Sequence, residues 1–558
     1  MKKRVAAVML SISMMMGILA GCGNGDAAPA ADAGGDAATG NVEAESVEEA
    51  PENVETAGGL TLPLSDERKE LNVVTQWESN LISDPNEIEG VQAMEERTNV
   101  HINYQCYGQT EMLEKFTMIL NTGEYPDILF PAGPAVYPGG YEQGIKDGVL
   151  IDMHEYIDYM PNYKALLESN PEARKQAAYD DGKFHGIRVI NGRDDGVAEP
   201  APGFRIAYRE DLLKKMGEDL PTTIDEWHDL FVKCRDAGMT AACTLEHDGG
   251  SPFSLAWEVM TDWSQRYMQY DQETQKINFG PMTDGFGEYL ETMRQWYAEG
   301  LIDKNFTAGN YIIIADYSNI ENDQTMLLDL WFGNMTGSYM YDKGFVSNSD
   351  VYIKACPAPT LKEGDPIVGY SNNSLIEQEI YVTTACEDPV LAAKWLDYLY
   401  SEEGMKYRFY GIEGKSYTYD ENGSLAYTDE ILHPADGLSP SQALSYYAMG
   451  NYIGYWNSEA GEKLTVTDKN ELVESGKIWS DVDKNIAVPR GVVLSAEEEE
   501  IINQYYTDIE TLVQEHMVKY IIGQDDTTQE EFVEQLKQYG IEQILECYQN
   551  AADRYKSR

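Results

Sequence analysis

The chain has 558 residues, with 96 Asp and Glu against 41 Lys and Arg, a formal net charge of −55. Binding nucleic acid needs a basic face, and docking on an anionic membrane by charge needs cations, so neither is a partner that this balance supports. Apolar and aromatic content is ordinary for a globular chain, and the roughly 490 residues after Arg68 exceed what one hydrophobic core serves, so two or more lobes are expected.

The chain opens with Lys2, Lys3 and Arg4, then an apolar run from Val5 to Leu19 that is short for a membrane span of about 20 residues. Small residues come next, the pattern of an export signal that is removed and takes no part in the fold. The run stops at Leu19-Ala20-Gly21-Cys22, which resembles the lipobox of bacterial lipoproteins. That resemblance implies a signal peptide over 1–21 and a diacylglyceryl group on the thiol of Cys22. The net charge is then −58. From Gly23 to about Ser65 the chain is Ala, Gly, Asp and Glu, with nine acids and no Lys or Arg. Such a segment buries too little apolar surface to fold, and a disordered acidic tether over 22–66 is expected.

The body begins with a strand over 70–78, a helix over 87–98, a strand over 100–105, a helix over 111–122 and a short strand over 126–131. The β-α-β-α-β order with helix-length connections predicts parallel α/β packing. Ligands in such sheets sit beyond the carboxyl ends of the strands, which points to the loops at Trp77-Glu78 and Pro131–Pro134. Thr223 with Glu226, Ser495 with Glu498 and Thr528 with Glu531 are spaced as capping boxes, each opening a helix. Asp388-Pro389 is a cap followed by a first-turn proline. Residues 270–279 read as a hairpin, and Asp420–Gly423 as a plain turn without the spacing of a calcium loop.

Catalytic signatures do not emerge. Gly411–Ser416 lacks the first glycine of a phosphate loop, because Phe409 stands there, and the seven histidines are dispersed with no H-E-x-x-H. With so many acids, a carboxylate pair at glycosidase spacing carries no information. No cofactor or metal is expected. The six cysteines beyond Cys22 form no C-x-x-C and read as isolated buried thiols. The positive signal is aromatic: 38 Tyr, 9 Trp and 13 Phe, many of the tyrosines in polar, glycine-bearing stretches such as 332–342, 414–420 and 445–458. Tyr and Trp pair a flat apolar face with a polar edge, which matches the C–H face and hydroxyl rim of a sugar ring. For any single aromatic a place in the core is the simpler reading; as a group they suit a carbohydrate cleft.

The order of segments resembles the family 1 extracellular solute-binding lipoproteins of ABC sugar importers, the large Gram-positive type. The resemblance is carried by the lipobox together with 121–130 (NTGEYPDILF), 181–187 (DGKFHGI), 208–227 (YREDLLKKMGEDLPTTIDEW), 296–306 (WYAEGLIDKNF), 388–404 (DPVLAAKWLDYLYSEEG), 410–423 (YGIEGKSYTYDENG) and 551–555 (AADRY). It implies an α/β periplasmic-binding-protein type II fold with two discontinuous lobes, a hinge and an interlobe ligand cleft. By analogy lobe 1 is 67–190 plus 376–430, and lobe 2 is 191–375 plus 431–558. It implies no catalysis, a carbohydrate ligand, ABC permease subunits as partners, a monomer, and a place on the extracellular face held through the lipid on Cys22 alone. Loop position and resemblance together nominate Trp77, Glu78 and Asp127 on the first lobe and Trp257 and Tyr339 on the second, with Asn372, Asn373, Lys415 and Trp456 completing the ligand-binding set. Asp127, just after Pro126, equally suits a structural cap. A same-fold receptor for a peptide or other solute, a signalling receptor, and a secreted carbohydrate hydrolase are the alternatives.

Overall fold

A computed structural model describes residues 54–131, 137–194, 196–197, 201–202, 206–308, 317–329, 353–372, 375–435, 437–450, 453–465 and 471–558. Cys22, Tyr339 and Asn373 lie outside the described residues.

The first half of the architecture grows from local signals. Strand β1 (Lys69–Gln76) buries Leu71, Val73, Val74 and Thr75. Helix α1 (Glu89–Thr98) ends at Asn99, whose left-handed backbone (φ 57°) is one that Asn tolerates. Strand β2 (Val100–Tyr107) runs parallel to β1, with Val73 opposite Tyr104. Helix α2 (Gln109–Thr122) returns the chain to β3 (Ile128–Phe130), parallel to β1 on its other side, with Val73 opposite Ile128. After a short helix over Gly140–Lys146 and a 3₁₀ segment over Met153–Tyr159, helices α3 (Pro161–Ser169) and α4 (Pro171–Ala177) follow, each with Pro in its first turn.

The sheet is completed from far along the chain. Strand β4 (Ile187–Arg193) pairs antiparallel with β8 (Ile376–Val382), which in turn pairs antiparallel with β3. Strand β9 (Tyr455–Asn457) pairs parallel with β4, Tyr455 opposite Ile190. The order across the sheet is β9-β4-β8-β3-β1-β2, with Gly196–Val197 beside β4. Helices α7 (Pro389–Tyr398), capped by Asp388, and α8 (Glu402–Phe409), capped by Ser401, cover it. The second half is helix-rich. Its three-stranded antiparallel sheet places β5 (Ile206–Arg209) between β6 (Leu327–Asp329) and β7 (Ile353–Ala355). Helices α5 (Ile224–Asp236), α6 (Asp284–Ala298), α9 (Ala496–Ile521), α10 (Gln529–Gln538) and α11 (Ile541–Ser557) pack around it. The capping boxes expected at Thr223, Ser495 and Thr528 are all formed, and so are the hairpin over Met268–Phe279 and the turn at Asp420, whose Oδ1 accepts from the amides of Asn422 and Ser424.

Buried apolar side chains form two separate clusters. One draws on Leu60–Ile190 and Leu375–Ala460; the other on Ile206–Tyr370 and Trp479–Ala552. Among the described residues the chain therefore crosses between clusters three times, within 190–206, 370–375 and 460–479. The six cysteines beyond Cys22 are free, Cys106 half-buried and the others buried. Among the described residues no helix is long and apolar enough to cross a membrane.

Two boundaries differ from the sequence-based expectation. The stretch from Ile431 to Ala460 packs in the first cluster, not with the second, because β9 joins the first sheet beside β4. The expected tether extends to residue 66, yet Val54–Glu55 pairs with Thr61–Leu62, and Leu60, Leu62 and Leu64 are buried against the first cluster. Those three leucines alternate along the chain, a strand pattern embedded in an acidic, glycine-bearing segment.

Candidate functional site

At the carboxyl end of the parallel strands lies a cavity of about 600 Å³ lined by Trp77, Glu78, Ser79, Ile82, Ser83, Cys106, Gly108 and Glu111. It is built from the loop after β1, the last residues of β2 and the start of α2, the place where the topology concentrates ligand-binding loops. Trp77 is held at two points. Its backbone amide donates to the Tyr107 carbonyl (3.0 Å), and its indole N–H donates to the Met449 carbonyl (3.1 Å). The ring is half-buried against the first cluster, so its orientation is fixed before any ligand arrives. The Glu78 carboxylate folds beside Gly108: its Oε2 stands 2.6 Å from where a Cβ on that glycine would be. Gly108 caps α2 and offers no side-chain cap of its own. Burial pushes the Cys106 thiol up to about 12, helped by the nearby Asp84, so it is an inert wall.

The remaining nominated residues disperse. Asp127 does not reach this cavity. Its Oδ2 accepts from the Asn72 amide (2.7 Å) and from Asn72 Nδ2 (2.9 Å), tying β1 to the amino end of β3. Asn72 stands five residues before Trp77 on an extended strand, about 16 Å away. Lys415 is exposed, its ammonium taken by Glu89, which raises its affinity for its proton. Trp456 lies in β9 with its ring edge-on to Phe409 (5.5 Å, 81°), half-buried on the first cluster. Trp257 closes a short 3₁₀ turn, Pro252–Trp257, and packs edge-on to Tyr289 (5.9 Å) in the second cluster. Asn372 sits where the chain crosses between clusters, in a short strand that pairs it with Ala201. Of the nominated set, the described contacts gather Trp77 and Glu78 into one cavity.

Sequence reasoning passes over Cys106, Gly108 and Glu111. The usable signal was Gly108 standing between a strand and a helix, the second loop at the same sheet edge. It also misses the Met449 carbonyl, which is distant in sequence.

A larger cavity, about 650 Å³, opens near the C-terminal half of α1 between Arg97, α8 and the hairpin at Glu55–Leu62. We do not place the site there. Its cations are already engaged, Arg97 by Glu403 (2.9 Å) and Lys406 by Glu402 (2.6 Å), and it lies toward the amino ends of the strands. Among the described residues no group of three or more His, Cys, Asp or Glu could hold a metal ion.

The comparisons with known proteins agree with the two-cluster plan. The profile of the bacterial extracellular solute-binding protein family matches residues 85–406. The chain is 22% identical over 519 residues to the fructooligosaccharide ABC transporter substrate-binding protein FusA of Streptococcus pneumoniae, covering 89% of this chain and 93% of FusA. It is 20% identical over 472 residues to the lipoprotein LipO of Bacillus subtilis, covering 82% of this chain and 87% of LipO. Among solved structures, an HMO-binding, ABC-transporter-associated solute-binding protein of Bifidobacterium longum infantis superposes with TM-score 0.70 at 15% identity, covering 88% of this chain and 99% of that one. The alginate-binding protein AlgQ2 superposes with TM-score 0.63 at 20% identity and the same two coverages. These likenesses establish the fold as the two-lobed α/β architecture, and the profile match, which spans more than half the chain, settles the family: the chain belongs to the bacterial extracellular solute-binding proteins.

Proposed function

We propose that this protein captures an oligosaccharide in the cleft between its lobes and delivers it, unaltered, to the permease subunits of an ABC importer. In this reading the lipid on Cys22 holds it at the extracellular face of the membrane, and it works as a monomer. The observation that carries the reading is Trp77, a flat ring pinned through its indole N–H in the wall of a cavity also lined by two carboxylates and two serines. An aromatic face stacks on the C–H face of a sugar while carboxylates and hydroxyls take its rim. The oligosaccharide names carried by several relatives point the same way. Closure is then a population shift: ligand favours the state in which both lobes touch it. Lobe 1 takes in 54–190 and 375–460, and lobe 2 takes in 206–370 and 479–558.

Titration calorimetry of the purified chain against a panel of mono- and oligosaccharides, followed by mass analysis of the recovered sugar, tests this. Micromolar or tighter binding of one class with the sugar intact is the expected result. Cleavage would make Glu78 and Glu111 candidates for a hydrolytic pair and overturn the reading; silence across the panel would transfer it to peptides or another solute.

A further inference from the structure

The wall around Trp77 carries charge of one sign. Glu78 and Glu111 line the cavity, and among its described lining residues there is no Lys or Arg. Lys115, one turn along α2, is engaged 3.7 Å from the Glu111 carboxylate and 5.1 Å above the Tyr107 ring. One feature of this wall would otherwise suit an anion. The start of a helix presents unpaired amides and the positive end of the helix dipole, and at α2 no side chain caps them. Glu78 already stands there. Its Oε2 lies so close to Gly108, the capping residue, that any residue with a Cβ would displace it. The chain thus places a carboxylate of its own beside the start of α2. The formal charge of −55 adds a repulsive background over the whole approach.

We propose, resting on the saccharide reading of the site, that the protein takes uncharged oligosaccharides and rejects those bearing carboxylates, with Glu78 as the side chain that decides. An ionised carboxylate only accepts hydrogen bonds, and a sugar hydroxyl can donate, so Glu78 and Glu111 match a neutral polyol. A uronate at the same position sets acceptor against acceptor and like charge against like charge. Specificity here comes from a repulsive group as much as from an attractive one.

The test pairs each neutral oligosaccharide of the panel with the counterpart in which its C6 hydroxymethyl groups are oxidised to carboxylates. Both are titrated into the full chain and into Glu78→Gln and Gly108→Ala, with circular dichroism confirming the fold of each variant. For a neutral sugar that binds, the oxidised partner should bind at least tenfold more weakly. Glu78→Gln should narrow that gap by improving the oxidised partner, and Gly108→Ala, which moves the carboxylate off the helix start, should narrow it too. An oxidised partner that binds the unaltered chain as well as or better than its neutral mate would overturn the charge selection while leaving the saccharide reading standing. A gap unchanged in Glu78→Gln would remove Glu78 from the role. Binding by neither member of any pair would bring down the saccharide reading and this proposal with it.

Discussion

Each of the two clusters buries one arginine to 1% exposure, and they treat its charge in opposite ways. In the second, Arg209 at the end of β5 meets carboxylates: Asp211 at 2.7 Å and Asp323 at 2.6 Å, with a further bond to the Ile320 carbonyl. Burial works against its charge, but the two aspartates outweigh it and raise its proton affinity. In the first, Arg408 on α8 donates to three backbone carbonyls, those of Leu399 (2.8 Å), Tyr455 (2.7 Å) and Ile453. No carboxylate answers it in those bonds, and burial pulls its proton affinity down. The difference is one of purpose as well as energy. Arg209 is an ion pair within its cluster. Arg408 staples residues 453–455, which lead into β9, to the helices α7 and α8, and so fixes the strand that carries Trp456 near a crossing between clusters.

Removing each arginine is the largest way to break that comparison. Arg209→Met leaves Asp211 and Asp323 without their cation; because water reaches Asp323, the cost should sit at the low end of that for breaking a buried pair from one side, about 3 kcal/mol. Arg408→Met frees three buried carbonyls, and about 1–3 kcal/mol is expected. Urea unfolding of the two variants decides, and a greater loss at Arg408 would contradict the account.

Two tryptophans extend the contrast to binding. Trp77→Ala should weaken a sugar that binds by about 2 kcal/mol, because a preoriented aromatic anchor is a typical hot spot. Trp257→Ala, whose ring is packed edge-on against Tyr289, should cost less affinity. Calorimetry on both variants would remove Trp77 from the site if affinity were unchanged with the fold intact.

Two aspartates give the clusters opposite responses to acid. In the first, burial lifts the Asp397 carboxyl to about 6, against bonds from the Asn162 amides and the Tyr163 backbone amide. Its folded pKa is raised, so its favourable contribution is complete below pH 4 and is lost as pH climbs through 6. At neutral pH the ionised group costs roughly 2–3 kcal/mol. In the second, burial pushes Asp525 upward, but the Thr527 hydroxyl and amide and His516 outweigh it and hold it at about 2. Its folded pKa is depressed, so its contribution is present above pH 4 and fades as pH falls toward 2. Urea midpoints taken from pH 3 to 8 should therefore show a fall in stability between pH 4 and 6 that Asp397→Asn flattens. Persistence of that slope in the variant would place its origin elsewhere.

The smallest effect lies where the clusters touch through α11. Arg554 (2.8 Å) and Arg558 (2.6 Å) both reach Asp180, and the Tyr555 hydroxyl donates to Glu172. Asp180 is largely exposed, so Asp180→Asn should cost no more than about 1 kcal/mol, and that cost should vanish in 1 M salt. A loss that salt leaves untouched would show that the contact is not held by charge.

What was legible in the sequence was what is local. The run from β1 to β3 is encoded in successive segments, and each predicted capping box is formed, because a cap needs only residues three apart. The sheet of the second cluster was not legible: β5 pairs with strands more than a hundred residues away, each three residues long, too short to show a period. The same remoteness hid β9 and moved 431–460 to the wrong side. Leu60, Leu62 and Leu64 were a readable alternation overridden by the acidic composition around them. For the site, strand order points to the loop at Trp77 and Glu78 on the sheet's carboxyl edge, while of the two readings of Asp127 the structural one depends on register. With Ile128 opposite Val73, it falls beside Asn72, well short of that edge.

The central claim, capture of a sugar between two lobes, is tested most directly by small-angle X-ray scattering of the purified chain with and without the tightest-binding oligosaccharide from the panel. The account predicts a smaller radius of gyration with ligand, since both lobes must close on it, and loss of that change in Trp77→Ala at the same sugar concentration. Saturating binding with an unchanged radius of gyration would contradict it and place the sugar on one lobe alone.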